Sequence, residues 1–188
     1  MMKKLWTLLL AWCGWTYDPV NPSAAPYVQR AVMIMAPHTS FYDFFVGAGD
    51  IFKLGINSRI FIKKELFNFF TKPFLRWVGA VPVDRTNSAK GNALVETAVK
   101  YFNQEKKFTL VITPEGTRKA VKKWKRGFYM IAVEAKVPIL LTYIDYKTKH
   151  MGVGPAFWPT GDYEADLPKI KAFYNDKNAK HPEGWDNG

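Results

Sequence analysis

Two short segments carry residues whose types and spacing could do chemistry. The first is His38-Thr39-Ser40-Phe41-Tyr42-Asp43, and the second is Pro114-Glu115-Gly116-Thr117-Arg118. A histidine with an acid five residues on can serve as a general base with an orienting carboxylate. A Glu-Gly-Thr-Arg turn can hold an anionic or polyhydroxy group. Together they are the parts for acyl transfer onto a hydroxyl. A competing reading is plainer: Asp43 only caps a helix, His38 is a surface loop residue, and 114–118 is an ordinary turn.

Geometry bears on the first segment. At 100° per residue, positions 38 and 43 of one helix would lie about 140° apart and could not meet. Pro37 fixes the backbone just before the histidine. Ser40 and Asp43 have the spacing of a capping box. His38 then sits in the turn ahead of the helix, where its ring can fold back toward Asp43. His150 and His181 have no comparable setting.

Each segment follows a β-type apolar run, Ala31 to Met35 and Phe108 to Ile112. Further runs predict short strands at Arg59 to Ile62 and Val81 to Asp84, and a longer one at Val137 to Tyr146 that pairs with 150–158. Helical spacing is expected over 43–54, from Ser88 through Phe102, over 127–136, and through Tyr163, Leu167, Ile170 and Tyr174. Phe67 to Trp77 is aromatic and basic, and Pro73 is expected to break it. Strands alternating with helices predict a single α/β layered domain with a largely parallel central sheet flanked by helices. In such sheets sites form beyond the carboxyl ends of strands, where both segments fall.

The chain divides into residues 1–17, an apolar membrane-interface or docking helix; 27–175, the main domain; and 176–188, a polar tail expected to be loose. The stretch between Asp18 and Pro26 holds three prolines and is read as a linker. Leu5 to Trp15 is nearly all apolar, but as a helix it spans only about 16 Å, too short for a bilayer core. Lys3 and Lys4 precede it and no small-x-small cleavage site follows. Trp6, Trp12 and Trp15 suit an interfacial position; packing on the domain is the alternative. Cys13 is the only cysteine, so no intrachain disulfide forms, and among tryptophans it is read as packing.

The chain carries 27 Lys and Arg against 16 Asp and Glu, a net +11. From Asp162 onward acids outnumber bases, so the excess lies in the body. Such a body suits an anionic partner: phospholipid headgroups, a phosphorylated substrate or nucleic acid. Arg118, Lys119, Lys122, Lys123, Lys125 and Arg126 form one basic stretch around Trp124. A guanidinium grips phosphate by paired hydrogen bonds and ammonium groups add point charge. Arg85, just past Val81-Pro82-Val83-Asp84, is a second phosphate-clamp candidate. No zinc spacing, RNP-type signature or recognition-helix pattern supports nucleic-acid binding.

These segments, in this order, resemble the lysophosphatidic acid acyltransferase family of glycerolipid O-acyltransferases. His38 to Asp43 matches its H-x4-D block, and Val81 to Arg85 looks like its acceptor-binding block. Pro114 to Arg118 matches its third block, and Lys125 to Phe128 through Val137-Pro138-Ile139 looks like its last. The resemblance covers residues 31–145. It implies one-step transfer of an acyl chain from acyl-CoA or acyl-carrier protein to a hydroxyl of a lysolipid. His38 would be the base and Asp43 its partner. Arg85, Glu115, Gly116, Thr117 and Arg118 would shape the acceptor site, with Pro138 as structural support. No metal, no other cofactor and no covalent enzyme intermediate is implied.

Pro37 stands where the family often has asparagine, and Lys119 where a small hydroxyl residue is common, which leaves the acceptor open. Membrane access would come from the Leu5–Trp15 helix and from Phe67, Phe69, Phe70, Phe74 and Trp77, flanked by Lys63, Lys64, Lys72 and Arg76. Size and the lack of a eukaryotic targeting pattern place the protein, as an expectation, on the cytoplasmic face of a bacterial inner membrane, peripheral or monotopic. The alternative function is a catalytically silent lipid-binding protein on the same fold.

Overall fold

The structure is a computed structural model that describes residues 2–83 and 93–186. The chain opens with helix α1 (Met2–Trp12), then a short strand β1 (Thr16–Tyr17) and a single 3-10 turn (Ala25–Tyr27). Strand β2 (Arg30–Ala36) leads into helix α2 (Tyr42–Leu54). Then come β3 (Ser58–Lys63), α3 (Lys72–Trp77) and β4 (Ala80–Val83). Helix α4 (Ala93–Gln104), β5 (Phe108–Ile112) and α5 (Gly127–Ala135) follow. Strands β6 (Ile139–Asp145) and β7 (His150–Phe157) form a hairpin, and α6 (Tyr163–Ala172) precedes the tail.

The seven strands form one sheet in the order β1-β7-β6-β2-β5-β3-β4. Every adjacent pair is parallel except β6 with β7. The expected layered α/β domain with a largely parallel sheet is what forms. Because side chains alternate along a strand, β2 is apolar on both faces. Val32, Ile34 and Ala36 join α4, α5 and α6 through Phe102, Phe128 and Ile170. Met33 faces Ile51 of α2, and Met35 faces Val46 of α2 and Leu10 of α1. The sheet is thus covered on both sides.

Most predicted elements appear within a residue or two, and four differences are informative. Pro73 does not break a helix; it lies in the first turn of α3, where a missing N–H is harmless. The first helix ends at Trp12, and Thr16–Tyr17, expected in the helical segment, instead pairs with β7. Cys13 is exposed rather than packed, because it falls in the turn just past the end of α1. The tail is not loose. Asn178 O accepts from Tyr146 N at 2.9 Å, His181 N donates to Thr39 Oγ1 at 3.1 Å, and Ala179 is buried. Trp185 packs against Trp124 and Tyr174.

Helix α1 docks on α2. Gly49 permits the contact: a Cβ there would lie 2.3 Å from Leu10 Cδ1. Trp6 stacks on Phe45 and donates Nε1 to the Phe45 carbonyl at 3.0 Å. Leu5, Leu8, Leu9 and Trp12, on the remaining surface of α1, stay exposed. Packing on the domain thus holds for one face of this helix, and the other face is left exposed. Among the described residues, no helix is long and apolar enough to cross a membrane.

Candidate active site

Strand pairing assembles the site. Strands β2 and β5 are adjacent and parallel, with Ile34 opposite Ile112. The turn after β2 holds His38 and the turn after β5 holds Glu115, so both arrive at one end of the sheet. On the other side of β2, Ala36 pairs with Tyr143 of β6. The chain leaving β6 brings Tyr146 to the same place.

His38 lies in the turn ahead of α2, as the spacing requires. Its Nδ1 is 3.0 Å from Asp43 Oδ2. The same oxygen accepts the backbone N–H groups of Thr39 and Ser40, each at 2.8 Å, and Oδ1 accepts from Tyr146 Oη at 2.7 Å. Half of the expected capping box forms: Asp43 takes the Ser40 amide, whereas Ser40 Oγ accepts from Tyr42 N rather than from Asp43 N. One carboxylate therefore takes the ring of His38 and the Thr39 and Ser40 amides of the turn together.

Asp43 is 1% exposed. Burial pushes its carboxyl up, but hydrogen bonds from His38, Tyr146 and the Ser40 amide outweigh this and hold it below the usual carboxylate range. An ionised carboxylate can only accept, so Nδ1 carries the hydrogen and the neutral ring keeps Nε2 as its acceptor.

Glu115 is also buried. Its Oε1 accepts from His38 N at 2.9 Å, and burial raises its carboxyl to about 7. Its Oε2 is buried and finds no hydrogen-bond partner among the described residues. The glutamate therefore holds the backbone of the histidine turn. Gly116 adopts φ +65°, the left-handed region that a side chain makes costly, and Lys125 lies across it. Thr117 Oγ1 accepts from Lys119 N at 3.3 Å, which makes it a turn residue, and it does not line the cavity beside His38.

That cavity has a volume of about 680 Å³. His38, Gly116, Arg118 and Lys125 stand at its polar part. Apolar side chains from α2, β3, α3 and β5 line the rest, including Ile51, Ile60, Phe74 and Val111. The arrangement is an imidazole and two cations beside a largely apolar space. Phe41, Leu66 and Phe74 join this lining to exposed aromatic surface.

Glu115 thus bonds the His38 backbone, and Gly116 and Arg118 line the cavity that His38 and Asp43 also line. Arg85 and Asp84 lie outside the described residues. Two residues near the pair were not singled out as site residues by sequence. Lys125 was legible within the basic stretch. Tyr146 carried no signal, since it only ends a β-type run. Among the described residues, no group of three or more His, Cys, Asp or Glu is placed to hold a metal ion.

A family model described as Acyltransferase matches residues 20–144, more than half of the chain. No curated protein and no solved structure matches it.

Proposed function

The chain belongs to the acyltransferase family, and on that premise we propose that it works at a membrane surface, moving a fatty acyl chain from acyl-CoA or acyl-carrier protein to a hydroxyl of a lysophospholipid or related lysolipid. The observation that carries this reading is the His38–Asp43 pair opening onto an apolar cavity flanked by Arg118 and Lys125.

The chemistry follows from the ring. Asp43 holds the Nδ1–H, so Nε2 takes the proton of the acceptor hydroxyl as its oxygen attacks the thioester carbonyl. The C–O bond forms, the C–S bond breaks, and the proton passes from the imidazolium to the departing thiolate sulfur. Asp43 stabilises the imidazolium in between. The apolar cavity wall holds the acyl chain, and Arg118 with Lys125 draws an anionic headgroup to the polar end. Glu115 and Gly116 keep the two turns in place. Arg85 is proposed as a further headgroup clamp on the strength of its place in the matched block.

Exposed apolar faces support work at a bilayer, and the cytoplasmic face of a bacterial inner membrane is the proposed location. Leu5, Leu8, Leu9 and Trp12 of α1 are exposed, as are Phe69 and Phe70 ahead of α3. Tryptophan and basic residues suit the headgroup zone.

The test is thiol release from acyl-CoA and acyl-carrier-protein donors with lysophosphatidic acid, other lysolipids or no acceptor. We expect acceptor-dependent release that falls at least about 100-fold in His38→Ala, the usual scale for a lost general base. Full turnover by the folded variant would remove His38 from the mechanism. No release from any donor and acceptor by the parent protein would favour a silent lipid-binding protein.

A further inference from the structure

We propose that Tyr146 is a positioning residue for the His38–Asp43 pair, holding the Asp43 carboxylate so that His38 keeps Nδ1 toward it and Nε2 free on the cavity side. The inference rests on the reading of His38 as the base.

Three donors on Asp43 come from its own turn: His38 Nδ1 and the Thr39 and Ser40 amides all converge on Oδ2. Among the described residues Tyr146 alone reaches Oδ1, at 2.7 Å, from the turn just past β6. A carboxylate held only through Oδ2 could rotate about its Cβ–Cγ bond. With Oδ1 fixed as well, the plane of the carboxylate is set, and with it the direction of the bond to Nδ1.

The tyrosine is itself well held. Its ring meets Trp15 edge to face at 5.1 Å, and its amide donates to Asn178 O. Lys180 lies 5.9 Å from its ring centroid. Segments from both ends of the chain therefore seat the side chain that seats Asp43.

The molecule contains its own control. Asp18 accepts from His150 Nδ1 at 2.7 Å through Oδ1 and from the Tyr143 hydroxyl through Oδ2. This is the same histidine, carboxylate and tyrosine grouping, with its tyrosine on β6, and none of its three residues lines the cavity.

The experiment is an NMR titration of the ring signals of the three histidines, His38, His150 and His181, in the parent protein, Tyr146→Phe and Tyr143→Phe. Phenylalanine keeps the ring contacts and removes only the hydroxyl. The charged groups facing the pair, Glu115, Arg118, Lys125 and Lys180, stay in place in both variants. Losing the Oδ1 donor frees the plane of the Asp43 carboxylate, so Tyr146→Phe moves the His38 midpoint away from its parent value. Tyr143→Phe moves His150 and leaves His38 where it was.

In turnover, Tyr146→Phe lowers kcat at least about tenfold with KM unchanged, and the acid limb of the pH profile moves with His38. An unmoved His38 midpoint together with parent kcat would overturn the proposal, as would an equal shift of His38 in Tyr143→Phe. The titration needs no turnover. A parent protein that releases no thiol would therefore sink the acyl-transfer reading and leave the midpoints to decide on Tyr146.

Discussion

Four donors meet on Asp43: the His38 ring, the amides of Thr39 and Ser40, and the Tyr146 hydroxyl. They hold its carboxyl below the usual range, so its contribution to stability is complete above the ordinary carboxylate pKa. That contribution fades as pH falls through the depressed value. Glu115 and Asp50 run the other way. Burial raises each to about 7, with Lys53 partly countering the shift at Asp50. The native protein then keeps protons that an unfolded chain, with carboxyls near about 4, has released. Their contribution is complete below about pH 4 and is lost as pH rises through about 7. We expect the thermal midpoint to fall across that window, and Glu115→Gln with Asp50→Asn to flatten the fall. The combined effect is on the order of a few kcal/mol. Calorimetry between those limits checks this. A parent midpoint that does not change would show that both carboxyls ionise normally.

Helices α1, α2 and α3 share one aromatic cluster. Trp6 contacts Phe45 and Trp77, and Phe74 contacts Phe44, Phe45 and Trp77. Part of the aromatic segment that sequence offered to the membrane is thus packing between helices. The rest is not: Phe69 is 85% and Phe70 86% exposed, as is Trp12 of α1 at 85%. A large apolar side chain contributes roughly 1.5–3 kcal/mol when fully removed from water. Changing Trp12 and Leu8 to glutamine, or Phe69 and Phe70 to glutamine, should weaken binding to anionic vesicles about 100-fold per pair. The melting temperature should hardly move, because these side chains contribute little to the fold. Vesicle sedimentation and circular dichroism read the two quantities separately. Unchanged sedimentation would mean that this surface does not meet the bilayer.

At the scale of the whole molecule, the two chain ends converge on the site. Trp15 touches the ring of Tyr146, and the tail reaches both Tyr146 and Thr39. Gly184 sits so close to the Arg118 turn that a Cβ would lie 3.0 Å from the Arg118 carbonyl oxygen. Trp185 fastens this segment against Trp124 and Tyr174. Trp185→Ala should cost about 2–3 kcal/mol, since the indole is only partly buried. For a chain of this length that lowers the melting temperature by about 5–10 °C. Turnover should fall as well, because the tail helps to seat Tyr146. Differential scanning calorimetry checks the first expectation. An unshifted midpoint would show that the tail is not part of the cooperative unit.

Much of this was legible residue by residue. Pro37, the β-type run before it and the Ser40–Asp43 spacing act within one turn of chain, so they dictate locally that His38 precedes the helix and faces Asp43. Alternating strands and helices dictate the layered sheet, because each apolar face must be covered. Tyr146 and the tail were not legible. A terminal tyrosine has no periodic partner, and Asn178 acts through its backbone carbonyl, which any residue possesses. Sequence by itself determined which groups could react and which way each local turn would point. The tertiary structure alone decided that β5 and β6 flank β2, bringing Glu115 and Tyr146 to one histidine, because strand order depends on how whole faces pack and not on the spacing within any one strand.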